Sequence, residues 1–198
     1  MKNKMRNNEM DVVFLLDRSG SMGGIEKDTI GGYNSYIDSQ RGKNVKVTTI
    51  LFDDKYEVLH NREDVDNIKK ITNKEYYVRG CTALLDALGK TIREMEDKDP
   101  NRVMFIITTD GYENASTKYN KSQIKELISA HKDWKFMYIG ADIDSYSEGR
   151  SIGIDDSFIA NYEKSEKGVK KLYKAVSKLS CIFYDEDEID ESWKNELE

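Results

Sequence analysis

Residues 17–21 read Asp17-Arg18-Ser19-Gly20-Ser21 and follow directly on an unbroken apolar run, Val12-Val13-Phe14-Leu15-Leu16. A buried strand that ends in a carboxylate and two hydroxyls at alternate positions gathers hard oxygen donors at one point. Oxygen-only donors suit Mg²⁺ or Mn²⁺ rather than the softer metals that take His or Cys. Two further segments carry donors of the same kind. Gly80-Cys81-Thr82 stands just ahead of a helical pattern, and Thr109-Asp110-Gly111 leaves a second apolar run at 103–107. Each includes a glycine, which lets backbone approach closely. Taken singly, Asp17, Ser19 and Ser21 would serve equally well as an Asx turn or a helix N-cap. Three such segments at strand ends and a helix start favour a shared metal site.

The segments meet only if the elements bearing them are wound in the right order. Apolar runs at 12–16, 45–52, 103–107 and 136–139 read as buried strands. A further strand at 56–59 follows Asp53-Asp54-Lys55, which reads as a hairpin turn, and a short one is expected at 157–160. Between them lie amphipathic stretches with Ile30, Tyr33 and Ile37 on one face, then Leu84, Leu88, Ile92 and Met95, then Ile124, Leu127, Ile128 and His131. A short helix over 144–152 and a long one through Val169, Leu172, Tyr173, Val176 and Leu179 complete the pattern, while 64–71 is ambiguous, a short helix at most. This alternation implies an α/β fold: a doubly wound, mostly parallel six-stranded sheet with helices on both faces. In such sheets ligands collect at the carboxyl ends of the strands, where the winding reverses.

Composition narrows the function. The 198 residues are 34% charged and 38% hydrophobic, which fits one globular domain. The net charge of −6 is concentrated at one end, because residues 185–198 carry eight acidic side chains against Lys194. The rest is close to neutral, so no basic stripe is present to neutralise phosphates, and nucleic acid is not the expected partner. The apolar runs are too short for a membrane span. Residues 1–10 are polar and basic without an apolar stretch, so no export signal is read and a cytoplasmic protein is expected. The two cysteines, Cys81 and Cys181, are expected to be reduced. His60 and His131 share no motif, which disfavours both zinc chemistry and a Ser-His-Asp triad. The expected organisation is a polar segment at 1–9, a domain at 10–183 and an acidic tail at 184–198.

The DxSxS run, a threonine opening a helix and an aspartate followed by glycine together resemble the von Willebrand factor A (vWA) domain and its metal-ion-dependent adhesion site, over residues 10–182. The resemblance implies that Ser19, Ser21 and Thr82 ligate the metal through hydroxyls. Asp17 and Asp110 would then act largely through bound waters. It also implies one antiparallel edge strand, which fits the hairpin at 53–55. The run Asp110-Gly111-Tyr112-Glu113-Asn114-Ala115-Ser116 and the triplet Gly140-Ala141-Asp142 are similar to those of small intracellular bacterial and phage members. Cys81 departs from the pattern, since many members have glycine there; it reads as a small side chain rather than a redox switch. The function implied is a metal-dependent binding module without catalytic residues, in which Mg²⁺ or Mn²⁺ bridges to an Asp or Glu of a partner protein.

Alternatives remain. An aspartate ending a first strand is also where aspartate-based Mg²⁺-dependent phosphohydrolases keep their nucleophile, although those usually have a second aspartate two residues on, where this chain has Ser19. The resemblance also allows a subunit of an ATPase- or kinase-containing complex. Asp53 and Asp54 read as turn residues rather than ligands of a second ion, Asp142 and Asp144 as loop and capping residues, and Tyr112 and Tyr119 as lining for the binding surface or ordinary exposed tyrosines. The acidic tail reads as a solvated extension, with self-ligation of the metal by a tail carboxylate as the sharper alternative.

Overall fold

The computed structural model describes residues 9–141, 143–185 and 191–197. Its sheet has six strands in the order β3-β2-β1-β4-β5-β6. They are β1 (Met10–Asp17), β2 (Val45–Phe52), β3 (Tyr56–Asp64), β4 (Val103–Thr109), β5 (Lys135–Gly140) and β6 (Ile159–Asn161). Five run parallel, and β3 is the antiparallel edge strand, joined to β2 by the expected hairpin. β3 extends to Asp64, beyond the apolar stretch that marked it, because an edge strand with one wet face carries alternating polar residues. The ambiguous segment after it is a single 3-10 turn at Val65–Asn67.

Every residue of β1 is buried, as a strand covered on both faces requires. Its side chains alternate between two cores. Val12, Phe14 and Leu16 face α1 (Glu26–Gln40) and α5 (Glu166–Asp185), while Val13 and Leu15 face α2 (Leu84–Glu96) and α3 (Lys121–Ala130). The Phe14 ring meets Tyr33 and Tyr36 of α1 edge-on, with centroids 5.1 and 4.8 Å away. Helices α1 and α5 approach closely where Gly32 faces the Tyr173 ring; a Cβ there would stand 2.0 Å from the ring. A short α4 (Ser145–Ser151) is capped by Asp144, whose carboxylate accepts from the Ser147 amide at 3.0 Å. The winding reverses between β1 and β4, and Leu16 pairs with Thr108, so Asp17 and Thr109 end adjacent strands side by side.

Residues 191–197, expected as part of a solvated tail, instead pack on the domain. Trp193 is fully buried in the same core as α5, and its indole N–H donates to the Ser157 carbonyl at 3.0 Å. Lys194 donates to the Asp156 carbonyl at 2.6 Å, and Glu196 pairs with Lys174 at 2.7 Å. The Ser157 and Asp156 contacts fall just before β6, and the Lys174 contact falls on α5. The acidic composition hid one large apolar side chain, and α5 itself continues to Asp185. Among the described residues no helix is long and apolar enough to cross a membrane. Replacing Trp193 by Ala is expected to lower the unfolding free energy by about 3–5 kcal/mol in urea titrations. Glu191→Gln, on the exposed side of the same turn, should stay within about 0.5 kcal/mol.

Candidate metal centre

The three sequence segments converge at the carboxyl ends of β1 and β4. Ser19 and Ser21 place their hydroxyls 2.9 Å apart. Gly111 marks the centre of the cluster. A Cβ built there would stand 2.7 Å from Thr82 Oγ1, 2.9 Å from Ser21 Oγ and 3.6 Å from Ser19 Oγ. Three hydroxyls from two loops therefore crowd around a residue that has no side chain of its own. Asp110 lines the same cavity of about 380 Å³, with Cys81, Tyr112 and Ile143 also on its wall.

The two carboxylates are held differently. Asp17 is fully buried, and both its oxygens are engaged: Oδ1 accepts from the Ser19 amide at 2.7 Å and Oδ2 from the Thr109 hydroxyl at 2.6 Å. Burial pushes its carboxyl up to about 6, against those hydrogen bonds and with help from the neighbouring Asp110 charge. Asp110 is almost as buried, yet among the described residues no hydrogen bond reaches either oxygen, and the Lys164 ammonium stands 2.7 Å from Oδ2. A buried carboxylate short of hydrogen-bond donors beside converging hydroxyls suits a hard divalent cation, so the residues present fit one. Among the described residues no three His, Cys, Asp or Glu side chains cluster as a metal cage.

Two sets of carboxylates away from the cluster hold these loops in place. Asp53 is buried and receives Arg18 Nε at 3.0 Å, Arg79 Nε at 2.6 Å and the Lys55 amide at 2.6 Å. Burial alone would raise its carboxyl, but these donors and the two guanidinium charges outweigh it and hold it below the usual range. Its backbone carbonyl accepts from the Ala83 amide at 3.0 Å, while the Arg79 amide donates to the Arg18 carbonyl at 2.8 Å. The hairpin thus ties the 17–21 loop to the 79–83 segment. On the other side Asn114 accepts from the Thr82 amide at 2.9 Å and its own amide donates to the Thr82 carbonyl at 3.0 Å. Glu113 caps α2 through the Leu85 amide at 2.9 Å, and Asp86 accepts from the Thr117, Lys118 and Tyr119 amides at 3.0, 2.8 and 2.9 Å.

No family model matches the chain. An uncharacterized protein of Methanocaldococcus jannaschii is 22% identical over 182 residues, 89% of this chain and 40% of that protein. Two solved structures superpose well. A von Willebrand factor type A protein from Catenulispora acidiphila does so at a TM-score of 0.64, with 16% identity over 87% of this chain and 42% of that one. Proximal thread matrix protein 1 of the mussel byssus, with a zinc-occupied MIDAS motif, does so at 0.68, with 18% identity over 87% and 46%. The chain has the von Willebrand factor A fold. It spans less than half the length of each of these relatives.

On this vWA fold Asp17, Ser19, Ser21, Thr82 and Asp110 all come to one place. Asp53 is a turn residue, as expected, but one with a buried role; Asp54 is exposed. Tyr112 lines the cavity and is 53% exposed, whereas Tyr119 is not on that surface: its ring packs on Gly89 of α2, where a Cβ would lie 2.6 Å away. Asp142 lies outside the described residues. Both cysteines are free, Cys81 exposed and Cys181 half-buried. Sequence reasoning passed over Arg18, Asp86, Glu113, Asn114 and Lys164. The 110–116 motif held the signal for Glu113 and Asn114, but not their partners. Asp53→Asn, which leaves the buried Arg18 guanidinium short of its counter-charge, is expected to cost about 3 kcal/mol by urea denaturation, and Asp54→Asn under about 0.5 kcal/mol.

Proposed function

We propose that this domain is a metal-dependent binding module that grips an Asp or Glu side chain of a partner protein. The observation that carries the reading is the ring of neutral hydroxyls around Gly111, backed by two buried carboxylates, at the mouth of an open cavity. Ser19, Ser21 and Thr82 would hold the metal, with Asp17 and Asp110 behind them. Mg²⁺ or Mn²⁺ held mainly by uncharged oxygens stays electrophilic and offers a position to an external carboxylate. The zinc-occupied motif of the mussel protein supports a divalent cation at this place in the fold.

The chain's own residues do the positioning. Asp17 fixes the Ser19 amide and is itself fixed by Thr109, so the first loop arrives with its hydroxyls aimed at the cluster. Asn114 holds Thr82 by both backbone groups. Tyr112 and Cys81 stand at the cavity wall, where a partner would make its remaining contacts.

The same geometry weighs against a phosphohydrolase. A nucleophilic aspartate needs a free oxygen aimed at substrate, and both oxygens of the fully buried Asp17 are occupied by donors. Affinity capture from cell extract with Mg²⁺ should recover a partner that EDTA releases, and Asp17→Ala and Ser19→Ala should each abolish capture while far-UV circular dichroism stays unchanged. A variant that no longer binds metal yet keeps its partner would overturn the bridging reading. Mg²⁺-dependent cleavage of an aryl phosphate, lost on Asp17→Asn, would instead establish the hydrolase.

A further inference from the structure

Lys164 belongs to no motif and comes from the turn between β6 and α5, yet its ammonium reaches the centre of the site. It stands 2.7 Å from Asp110 Oδ2 and donates to the Ser21 carbonyl. Both contacts fall on residues of the proposed donor set. The Lys164 side chain is 23% exposed and that of Asp110 only 1%, so the pair is screened by little water.

The turn that delivers Lys164 is itself held on both sides. The Tyr162 amide donates to the Gly140 carbonyl of β5 at 3.0 Å. The Ser165 amide donates to the Glu163 carbonyl at 2.8 Å, and Ser165 Oγ caps α5 by accepting from the Gly168 amide at 3.0 Å. Gly168 is pressed so closely on that turn that a Cβ would lie 1.9 Å from the Glu163 carbonyl oxygen. Lys164 is therefore projected at the site from a fixed base, unlike a surface lysine that settles on a nearby carboxylate.

We propose that Lys164 is a tethered competitor of the divalent ion, its ammonium neutralising Asp110 until the ion displaces it. The proposal rests on the metal reading above. Two cations that draw on the same buried carboxylate repel one another strongly at such range, so the ion enters only by weakening the lysine's contact. In the absence of ion the lysine removes the cost of a buried, unpaired Asp110. The effect is to lower affinity for the ion while stabilising the protein without it.

Direct Mn²⁺ titration of the full chain, by calorimetry or by the electron paramagnetic resonance of free Mn²⁺, tests this. Lys164→Met, which keeps the length and removes the charge, should bind Mn²⁺ about tenfold more tightly than wild type. Lys164→Arg should stay close to wild type. Without metal, Lys164→Met should also melt at lower temperature, and added Mn²⁺ should raise its melting temperature by more than it raises that of wild type. Ser19→Ala in either background should lose the ion, which places the binding at this site. Equal or weaker Mn²⁺ binding by Lys164→Met, with wild type binding normally, would overturn the competitor role alone. Failure of both proteins to bind Mn²⁺ would overturn the metal reading and the competitor role together.

Discussion

Two carboxylates, Asp17 and Asp110, are lodged side by side at the carboxyl ends of adjacent parallel strands with almost no access to water. An ionised pair in that setting is costly unless donors or positive charge meet it. The rest of the site is a response to that constraint. Asp17 is met by a hydroxyl and a backbone amide, which lower the cost of its charge without cancelling it. Among the described residues Asp110 is met by a lysine that crosses from another loop. The asymmetry separates a carboxylate built into the scaffold from one that remains available to a cation.

Carboxylates also build the frame, but in the opposite manner. Asp53, Asp86 and Glu113 are saturated by backbone amides and guanidinium groups, each replacing a turn that the loop would otherwise have to make for itself. Loops around an α/β sheet's binding edge carry little secondary structure, so their precision has to come from such side-chain bonds. Arg18 shows the extreme case. It sits inside the DxSxS run, fully buried, and its charge is spent on Asp53 and Glu57 rather than on any ligand. The run thus puts Ser19 and Ser21 on the cavity wall and the guanidinium of Arg18, which stands between Asp17 and Ser19, into the frame.

The strands, and the segments that the fold brings to one place, were legible because both are local signals. An unbroken apolar run has few readings other than a doubly covered strand, and DxSxS sits immediately at its end. What escaped was set by pairing across the chain. The partners of Asp53 lie 26 and 35 residues away from it, those of Asp86 up to 33, and Lys164 is far in sequence from Asp110. No spacing rule connects such residues before the fold brings them together. Trp193 was concealed for a different reason: average charge describes a segment's solvation, whereas one indole that finds a core decides its position. Tyr119 was assigned to the surface because its polar surroundings gave no hint of the space left beside Gly89.

Oxygen donors of this kind discriminate weakly among divalent ions, and the order of intrinsic affinities places zinc above both manganese and magnesium. A resident ammonium changes the terms of the contest without changing the ligands. Because it claims the carboxylate and one carbonyl, an ion drawing on Asp110 would have to compete with it. On the proposed reading Lys164 would set a threshold for every dication alike. The hydroxyls confer no charge of their own, so the ion that does bind retains its attraction for an incoming carboxylate. If the metal is held against the lysine and the ligand through the metal, as proposed, the two affinities would be coupled, since each ligand carboxylate would strengthen the ion's hold.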